Sequence, residues 1–274
     1  MPARNVHQLA LITGASNGIG LELAKTLAAR ERCDLILVAR TKEKLEHLAR
    51  ELEKAHSIHC HVLAMDLGQH GSARELYNQV KKLGLSPDTL VNNAGFGDAG
   101  AFVRSKDAKI ESMMTLNMET LTLLTRYFTA DMVEKRNGRI LNVASIAAFQ
   151  PGPYMAVYYA TKAYVLSFTE ALAVELKNSG VTVTALCPGP VLTGFQSSAN
   201  MADDAGMLKT PAVLPAAKVA EIGYEAMKCG STVAIAGAIN RLMTLSTRLA
   251  PRSITAKIAG RLNRGHKHKS ENVL

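Results

Sequence analysis

At 274 residues, with 47% apolar and 20% charged side chains, the chain can bury a sizeable core in one large domain or two small ones. Only the last ten residues are polar enough to read as disordered. The formal net charge is +9, yet from Arg241 to Lys269 there are eight Lys/Arg and no acidic residue, so the basic character sits in one C-terminal element and nothing points to a nucleic-acid partner.

From the N-terminus, the first apolar run, Leu9 to Ile12, is too short for the core of a secretion signal, and nothing else marks export. Candidate strands fall at Leu9–Thr13, Asp34–Ala39, Ile58–Met65, Thr89–Asn92, Ile140–Ala144 and Val181–Cys187, with a weaker one at Thr232–Ile235. Helical periodicity lies between them, for example over Ile19–Ala29, Lys42–Lys54 and Tyr154–Lys177. Strands alternating with helices through right-handed crossovers predict one α/β domain on a doubly wound parallel sheet, with helices on both faces. Strands covered on both faces read as unbroken apolar runs, as Leu35, Ile36, Leu37 and Val38 do. No linker divides residues 1–240, and a basic extension over 241–274 is expected to follow.

Two stretches invite other readings. Ile140 to Thr161 carries no charge over more than a membrane-spanning length, but Asn142, Gln150, Pro151, Gly152 and Pro153 break it into strand, loop and helix. HSIHCHV at His56–Val62 looks like a metal cluster. On a strand, however, His59 and His61 share one face and Cys60 takes the other; no second ligand group completes the set, and no metal is expected. Cys33, Cys60, Cys187 and Cys229 stand far apart without a C-x-x-C pair, the pattern of reduced thiols in the cytoplasm.

The motifs that carry chemistry begin after the first strand. LALITGASNGIG sets Gly14, Gly18 and Gly20 between strand and helix. Glycine lets backbone N–H groups approach a pyrophosphate, and the helix starting near Gly18 presents its positive end to it. Further on, YYATK places Tyr158 and Lys162 four apart on one helix face, while Tyr159 and Lys162, three apart, can also meet. A phenol beside an ammonium is a usable proton donor or base, because the charge lowers a pKa of about 10. Spacing alone leaves open which tyrosine acts.

These motifs, in this order, resemble the short-chain dehydrogenase/reductase family. They are T-G-x-x-x-G-x-G from Thr13 to Gly20, NNAG at Asn92–Gly95, a serine at Ser145, Y-x-x-x-K at Tyr158–Lys162 and PGPVLT from Pro188 to Thr193. The resemblance implies a Rossmann-type fold, a nicotinamide cofactor and a homodimer or homotetramer. The family's active serine stands thirteen residues before its active tyrosine, which implies Ser145 with Tyr158 and leaves Tyr159 to packing. In those roles Ser145 binds the carbonyl oxygen and Tyr158 gives the proton. Lys162 tunes Tyr158 and holds the nicotinamide ribose, and Asn117 holds a water joining Lys162 to solvent. The implied cofactor contacts are Gly14, Ser16, Asn17, Gly18, Ile19 and Gly20 around the phosphates and Asp66 and Leu67 near the adenine. Asn93 lies along the adenosine side, with Pro188, Gly189, Val191 and Thr193 at the nicotinamide, Val191 offering backbone groups to the carboxamide.

The choice of cofactor is read after the second strand. An acidic residue there would accept from the adenine-ribose 2′-OH; this chain has Ala39 and then Arg40, whose planar fork suits a 2′-phosphate, so NADP(H) is expected. Substrate contacts are expected in Phe96–Phe102, Phe149–Met155 and the loop 194–214. There Phe149, Met155, Phe195, Met201, Met207 and Leu208 fit a lipophilic ketone or acyl chain. The expected function is therefore NADPH-dependent carbonyl reduction, or equivalently alcohol oxidation. A 3-oxoacyl thioester reductase is the narrower alternative with the same chemistry. A nucleotide sensor without turnover is the alternative from another class, and Ser145, Tyr158 and Lys162 together argue against it.

In the extension, Leu242, Leu245 and Leu249 share one helical face, and beyond Pro251 the residues Ile254, Ile258 and Leu262 recur at every fourth position. Arg248, Arg252, Lys257, Arg261 and Arg264 surround these stripes. A basic amphipathic helix of this kind covers the domain's own core or a partner subunit, or lies peripherally on an anionic membrane through 241–269. With no Trp or Phe to anchor it in lipid, the covering role is the first expectation.

Overall fold

The computed structural model describes residues 8–193, 199 and 212–263. Strands β1 (Leu9–Thr13), β2 (Asp34–Ala39), β3 (Cys60–Ala64), β4 (Thr89–Asn92), β5 (Gly138–Val143), β6 (Val181–Cys187) and β7 (Val233–Ile235) form one seven-stranded sheet in the order β3-β2-β1-β4-β5-β6-β7. Every neighbouring pair is parallel. The chain moves outward from β1 to β3, then returns to β4 on the other side of β1 and continues outward to β7. The loops after β1 and β4 therefore diverge above adjacent strands and open the crevice in which such sheets hold ligands.

Each strand feeds two cores. Ala10 and Ile12 of β1 and Leu35 and Leu37 of β2 face Leu23 and Leu27 of α1 (Gly18–Glu31), Leu45 and Leu52 of α2 (Lys42–His56) and Val219 and Tyr224 of α7 (Ala216–Lys228). Leu9, Leu11, Ile36 and Val38 point the other way, onto Leu76 of α3 (Ser72–Lys82) and Leu124 and Phe128 of α5 (Leu121–Glu134). Burying a leucine side chain this completely is worth about 1.5–3 kcal/mol. At the lower edge, Arg139 reaches Glu31 with both guanidinium ends, at 2.7 and 2.6 Å, tying the start of β5 to the end of α1.

Helix α4 (Asp107–Met114) passes through a π-helical turn, Thr115–Thr120, directly into α5. Helix α6 (Ala156–Glu175) lies over β5 and β6, packing Val165 and Leu166 against Ala144, Ala185 and Cys187. The chain then forms α8 (Ala238–Leu249) and α9 (Arg252–Asn263). The boundary expected at residue 240 falls inside the first turn of α8. There Asn240 is buried and donates to Ala212 O at 3.1 Å and Ala236 O at 2.7 Å.

The expected covering of the domain's own core by the C-terminal leucine and isoleucine stripe is not found. Leu242, Leu245 and Leu249 are 68%, 56% and 85% exposed, because α8 turns Asn240 and Thr244 inward instead. The expected residues of the loop 194–214 (Phe195, Met201, Met207 and Leu208) lie outside the described residues, as do Arg264 and the rest of the tail. Among the described residues, no helix is long and apolar enough to cross a membrane, and no group of three or more His, Cys, Asp or Glu could hold a metal.

Candidate active site

The phosphate-binding turn is built by tight backbone contact. Gly14 and Gly18 adopt φ of +68° and +57°, where a side chain is strained. A Cβ on Gly14 would sit 2.7 Å from Asn93 Nδ2, and one on Gly18 would sit 2.9 Å from Thr193 Cγ2. The loops after β1, β4 and β6 thus meet at one place, above the carboxyl ends of the strands. Asn93 fastens them: Nδ2 donates to Thr13 O at 2.9 Å and Gly14 O at 3.2 Å. Thr13, absent from the expected contacts, is the other fastener, since its Oγ1 donates to Val91 O and accepts from the N–H groups of Asn93 and Ala94.

Asn17 caps α1 by accepting from Gly18 N at 2.7 Å, so its side chain serves the helix. The next N–H groups, of Ile19 and Gly20, belong to a first turn that has no intrahelical acceptor for them. With the glycine cradle beneath, this donor set fits a pyrophosphate. Ser16 precedes the cap in the same turn.

Beyond the glycine turn, Arg40 is exposed directly after β2 and makes no ion pair among the described residues. Asp66 lies beside it, because Met65 N donates to Ala39 O at 2.9 Å. The Asp66 carboxylate closes its own turn, accepting from Gly68 N at 3.0 Å and Gln69 Nε2 at 3.1 Å. Leu67 buries its side chain in the core and gives its carbonyl to Ser72 and Thr120, so only its N–H remains to meet a nucleotide.

The candidate site residues Ser145, Tyr158 and Lys162 come together just after β5 and on α6. Ser145 follows β5 in extended conformation, where its Oγ accepts from Ala147 N at 3.1 Å. Tyr158, on the first turn of α6, is hydrogen-bonded to Ser145. Lys162 is buried one turn on; Nζ lies 5.8 Å from the Tyr158 ring centroid and donates to Val143 O at 2.7 Å. Tyr159 points away, buried with Ala147 and Met155, and its hydroxyl donates to Asn263 Oδ1 at 3.3 Å. Of the two tyrosines in YYATK, Tyr158 is the one beside Ser145 and Lys162.

One expectation is corrected. The Tyr158 pKa is not lowered as expected but lies above the ordinary phenol value. Burial pushes the phenol up, the Ser145 hydrogen bond opposes this, and Tyr159 adds a further rise. Tyr158 is thus a neutral phenol, the form that can give a proton. Burial also lowers Lys162 to about 8, partly offset by Cys187, so at neutral pH the lysine keeps most of its charge.

Asn117 sits in the π-helical turn with both amide protons committed, to Phe96 O and Thr161 Oγ1, each at 3.0 Å. Its Oδ1 accepts from Phe96 N at 3.2 Å, so one lone pair is left to receive a water. Thr161 Oγ1 in turn donates to Tyr158 O at 2.8 Å. Asn117 thus braces the loop after β4 against α6, and Gly95, where a Cβ would lie 3.5 Å from Lys162 Nζ, lets that loop come close.

In the turn after β6, Pro188 O accepts from Ile146 N at 2.9 Å, Val191 packs into the core, and Gly189 lies so close to Asn240 that no Cβ would fit. Asn263 was not foreseen either. Its Nδ2 donates to Pro153 O at 2.9 Å, holding the loop before α6 from a helix over a hundred residues away, and no local pattern announces that.

A parallel sheet in this order, with a glycine turn after its first strand, is the fold of nicotinamide-dependent oxidoreductases. The short chain dehydrogenase family model matches residues 8–204. The chain belongs to that family. It is 30% identical to the very-long-chain 3-oxoacyl-CoA reductase of Anas platyrhynchos over 227 residues, covering 81% of this chain and 70% of that protein. It is likewise 30% identical to the 17-beta-hydroxysteroid dehydrogenase type 3 of Mus musculus over 245 residues, 87% of this chain and 77% of the other. A solved short-chain dehydrogenase from Sphingobium yanoikuyae in complex with NADPH superposes with a TM-score of 0.78 at 30% identity, over 88% of this chain and 93% of that one.

Proposed function

We propose that the protein is an NADPH-dependent reductase of a ketone on a lipophilic molecule, able to run in reverse as an alcohol dehydrogenase. The hydrogen-bonded Ser145–Tyr158 pair with Lys162 one turn beyond carries this reading. A bound nicotinamide supplies the hydride. Ser145 Oγ holds the substrate's carbonyl oxygen and offers it a hydrogen bond that strengthens as negative charge develops there. Tyr158 Oη delivers its proton to that oxygen, and the raised phenol pKa keeps the proton in place until then. Lys162, held by Val143 O, keeps a positive charge beneath the ring that stabilises the phenolate left behind, and reaches toward the ribose. Gly14 to Gly20 and Thr193 seat the phosphates, and Arg40 pairs with the 2′-phosphate.

A narrower second reading is reduction of a 3-oxoacyl coenzyme A thioester. The name of the Anas platyrhynchos relative favours it, and so do the basic helices α8 and α9, which adjoin the site and would attract an anionic carrier. Mixing the purified protein with NADPH and a panel of ketones, steroids and acyl thioesters tests both readings. NADPH consumption is expected with at least one apolar carbonyl, and NADPH is expected to bind at least tenfold tighter than NADH, about 1.4 kcal/mol. No consumption with any carbonyl sinks the enzyme reading; equal affinities sink the cofactor choice.

A further inference from the structure

We propose that α8 and α9 dock the mouth of the active site onto an anionic lipid surface. Both helices are inside out. In α8 the face against the domain carries Asn240, Thr244 and half-buried Thr247, whose Nδ2, Oγ1 and Oγ1 donate to nearby carbonyls. The opposite face carries Leu242, Leu245 and Leu249 in open solvent. In α9 the inward residues are Thr255, Ala259, Gly260 and Asn263, while Ile254 and Ile258 stand 49% and 52% exposed. A helix on the surface of a protein bathed only in water turns its apolar stripe to the core. Single exposed leucines are ordinary, but an exposed apolar stripe on each of two successive helices marks a contact surface.

Charge selects the occupant. Arg241, Arg248, Arg252, Lys257 and Arg261 are exposed around this stripe, and residues 238–263 contain no acidic side chain. An apolar strip rimmed by cations alone suits a bilayer with acidic headgroups. A second copy of the chain fits poorly, since a two-fold contact would bring these cations against their own images. Coenzyme A phosphates would use the cations but leave the leucines in water. Lacking Trp and Phe, the docking is shallow and depends on salt.

The position of the face gives the docking its purpose. Helix α8 packs on Ile146–Phe149, directly after Ser145, and α9 grips Pro153, five residues before Tyr158, and Tyr159, next to it. A lipophilic ketone dissolved in the bilayer would be delivered to loops that this surface flanks. That last step rests on the proposed function; the binding itself does not.

The test is sedimentation of the full-length protein with phosphatidylcholine vesicles, with and without phosphatidylglycerol, at low and high salt. Pelleting is expected only with the anionic vesicles at low salt. The triple variant Leu242→Gln, Leu245→Gln, Leu249→Gln should lose it while melting at an unchanged temperature. Arg248→Gln with Arg252→Gln should weaken partitioning about 25-fold, each cation near the surface being worth about fivefold. Three results overturn the proposal. The protein stays in the supernatant with anionic vesicles at low salt; or the leucine variant binds vesicles as the parent does but changes its oligomeric mass; or the arginine variant loses affinity for coenzyme A while keeping its affinity for vesicles.

Discussion

Replacing each of the paired tyrosines by phenylalanine separates chemistry from packing. In Tyr158→Phe the ring and its contact with Lys162 remain and only the hydroxyl bonded to Ser145 disappears. A positioned proton donor is worth about 10²- to 10⁴-fold in rate, so kcat should fall by about that factor while NADPH still binds. In Tyr159→Phe the lost hydroxyl donates to Asn263 Oδ1 at 3.3 Å, a long bond, so its loss should cost about 1 kcal/mol. That corresponds to a melting temperature about 2–4 °C lower with most of the turnover kept. Following NADPH absorbance for turnover and a thermal melt for stability reads both effects in the same samples. If Tyr159→Phe abolished turnover and Tyr158→Phe merely melted early, the assignment of roles along α6 would be wrong.

Gly152→Ala should be more damaging than its size suggests. A Cβ there would overlap the Tyr159 ring, which Ala147, Met155 and Asn263 hold in place, so about 1–3 kcal/mol and most activity should be lost; an unchanged melt refutes this. Arg40→Ala should weaken NADPH binding about tenfold or more and leave NADH nearly unchanged, as fluorescence titration would read; equal weakening of both denies Arg40 the phosphate. Lys162 titrates near 8 when folded and at 10.5 when unfolded, so between these values the unfolded chain holds more protons, and this group makes stability rise with pH there. The stability advantage of Lys162→Met over the parent should accordingly shrink from pH 8 to pH 10; a gap that stays constant would mean Lys162 is not perturbed. The same titration should make carbonyl reduction fall above about pH 8 as the charge beneath Tyr158 is lost.

The sheet is legible in the sequence because each strand feeds two cores and so reads as an unbroken apolar run. β1, β2, β4 and β6 run over the expected residues, Leu9–Thr13, Asp34–Ala39, Thr89–Asn92 and Val181–Cys187. β3 is shorter than expected, since Ile58 and His59 precede the ladder that begins at Cys60 opposite Leu35. β5 starts earlier, at Gly138, because pairing with Val181 requires a backbone and no apolar side chain. The glycine turn is a local pattern and could be read, whereas pairing Ser145 with Tyr158 came from the family resemblance, because spacing left Tyr159 open; the π-helical turn that holds Asn117 could not be read, since TLNMET has ordinary helical composition. Nor could the inversion of α8 and α9. Their stripes are regular, and only the folded chain shows that Asn240, Thr244, Thr255 and Asn263 took the inner side.

The grip of Asn263 on Pro153 and Tyr159 also sets an order of events during synthesis. The sheet from β1 to β6 is complete in sequence by Cys187, and domains fold from the N-terminus as the ribosome releases them. Yet Tyr154 sits at a φ of +65°, a strained conformation for a non-glycine residue, between Pro153 O held by Asn263 and its own carbonyl held by Gly100 N. One of those two restraints does not exist until residue 263 has left the exit tunnel. A nascent chain can therefore form its glycine turn before the loop ahead of Tyr158 is set, and under the proposed function a chain ending within α9 is expected to bind NADPH while turning over poorly, which titration and an activity assay of that truncation would check.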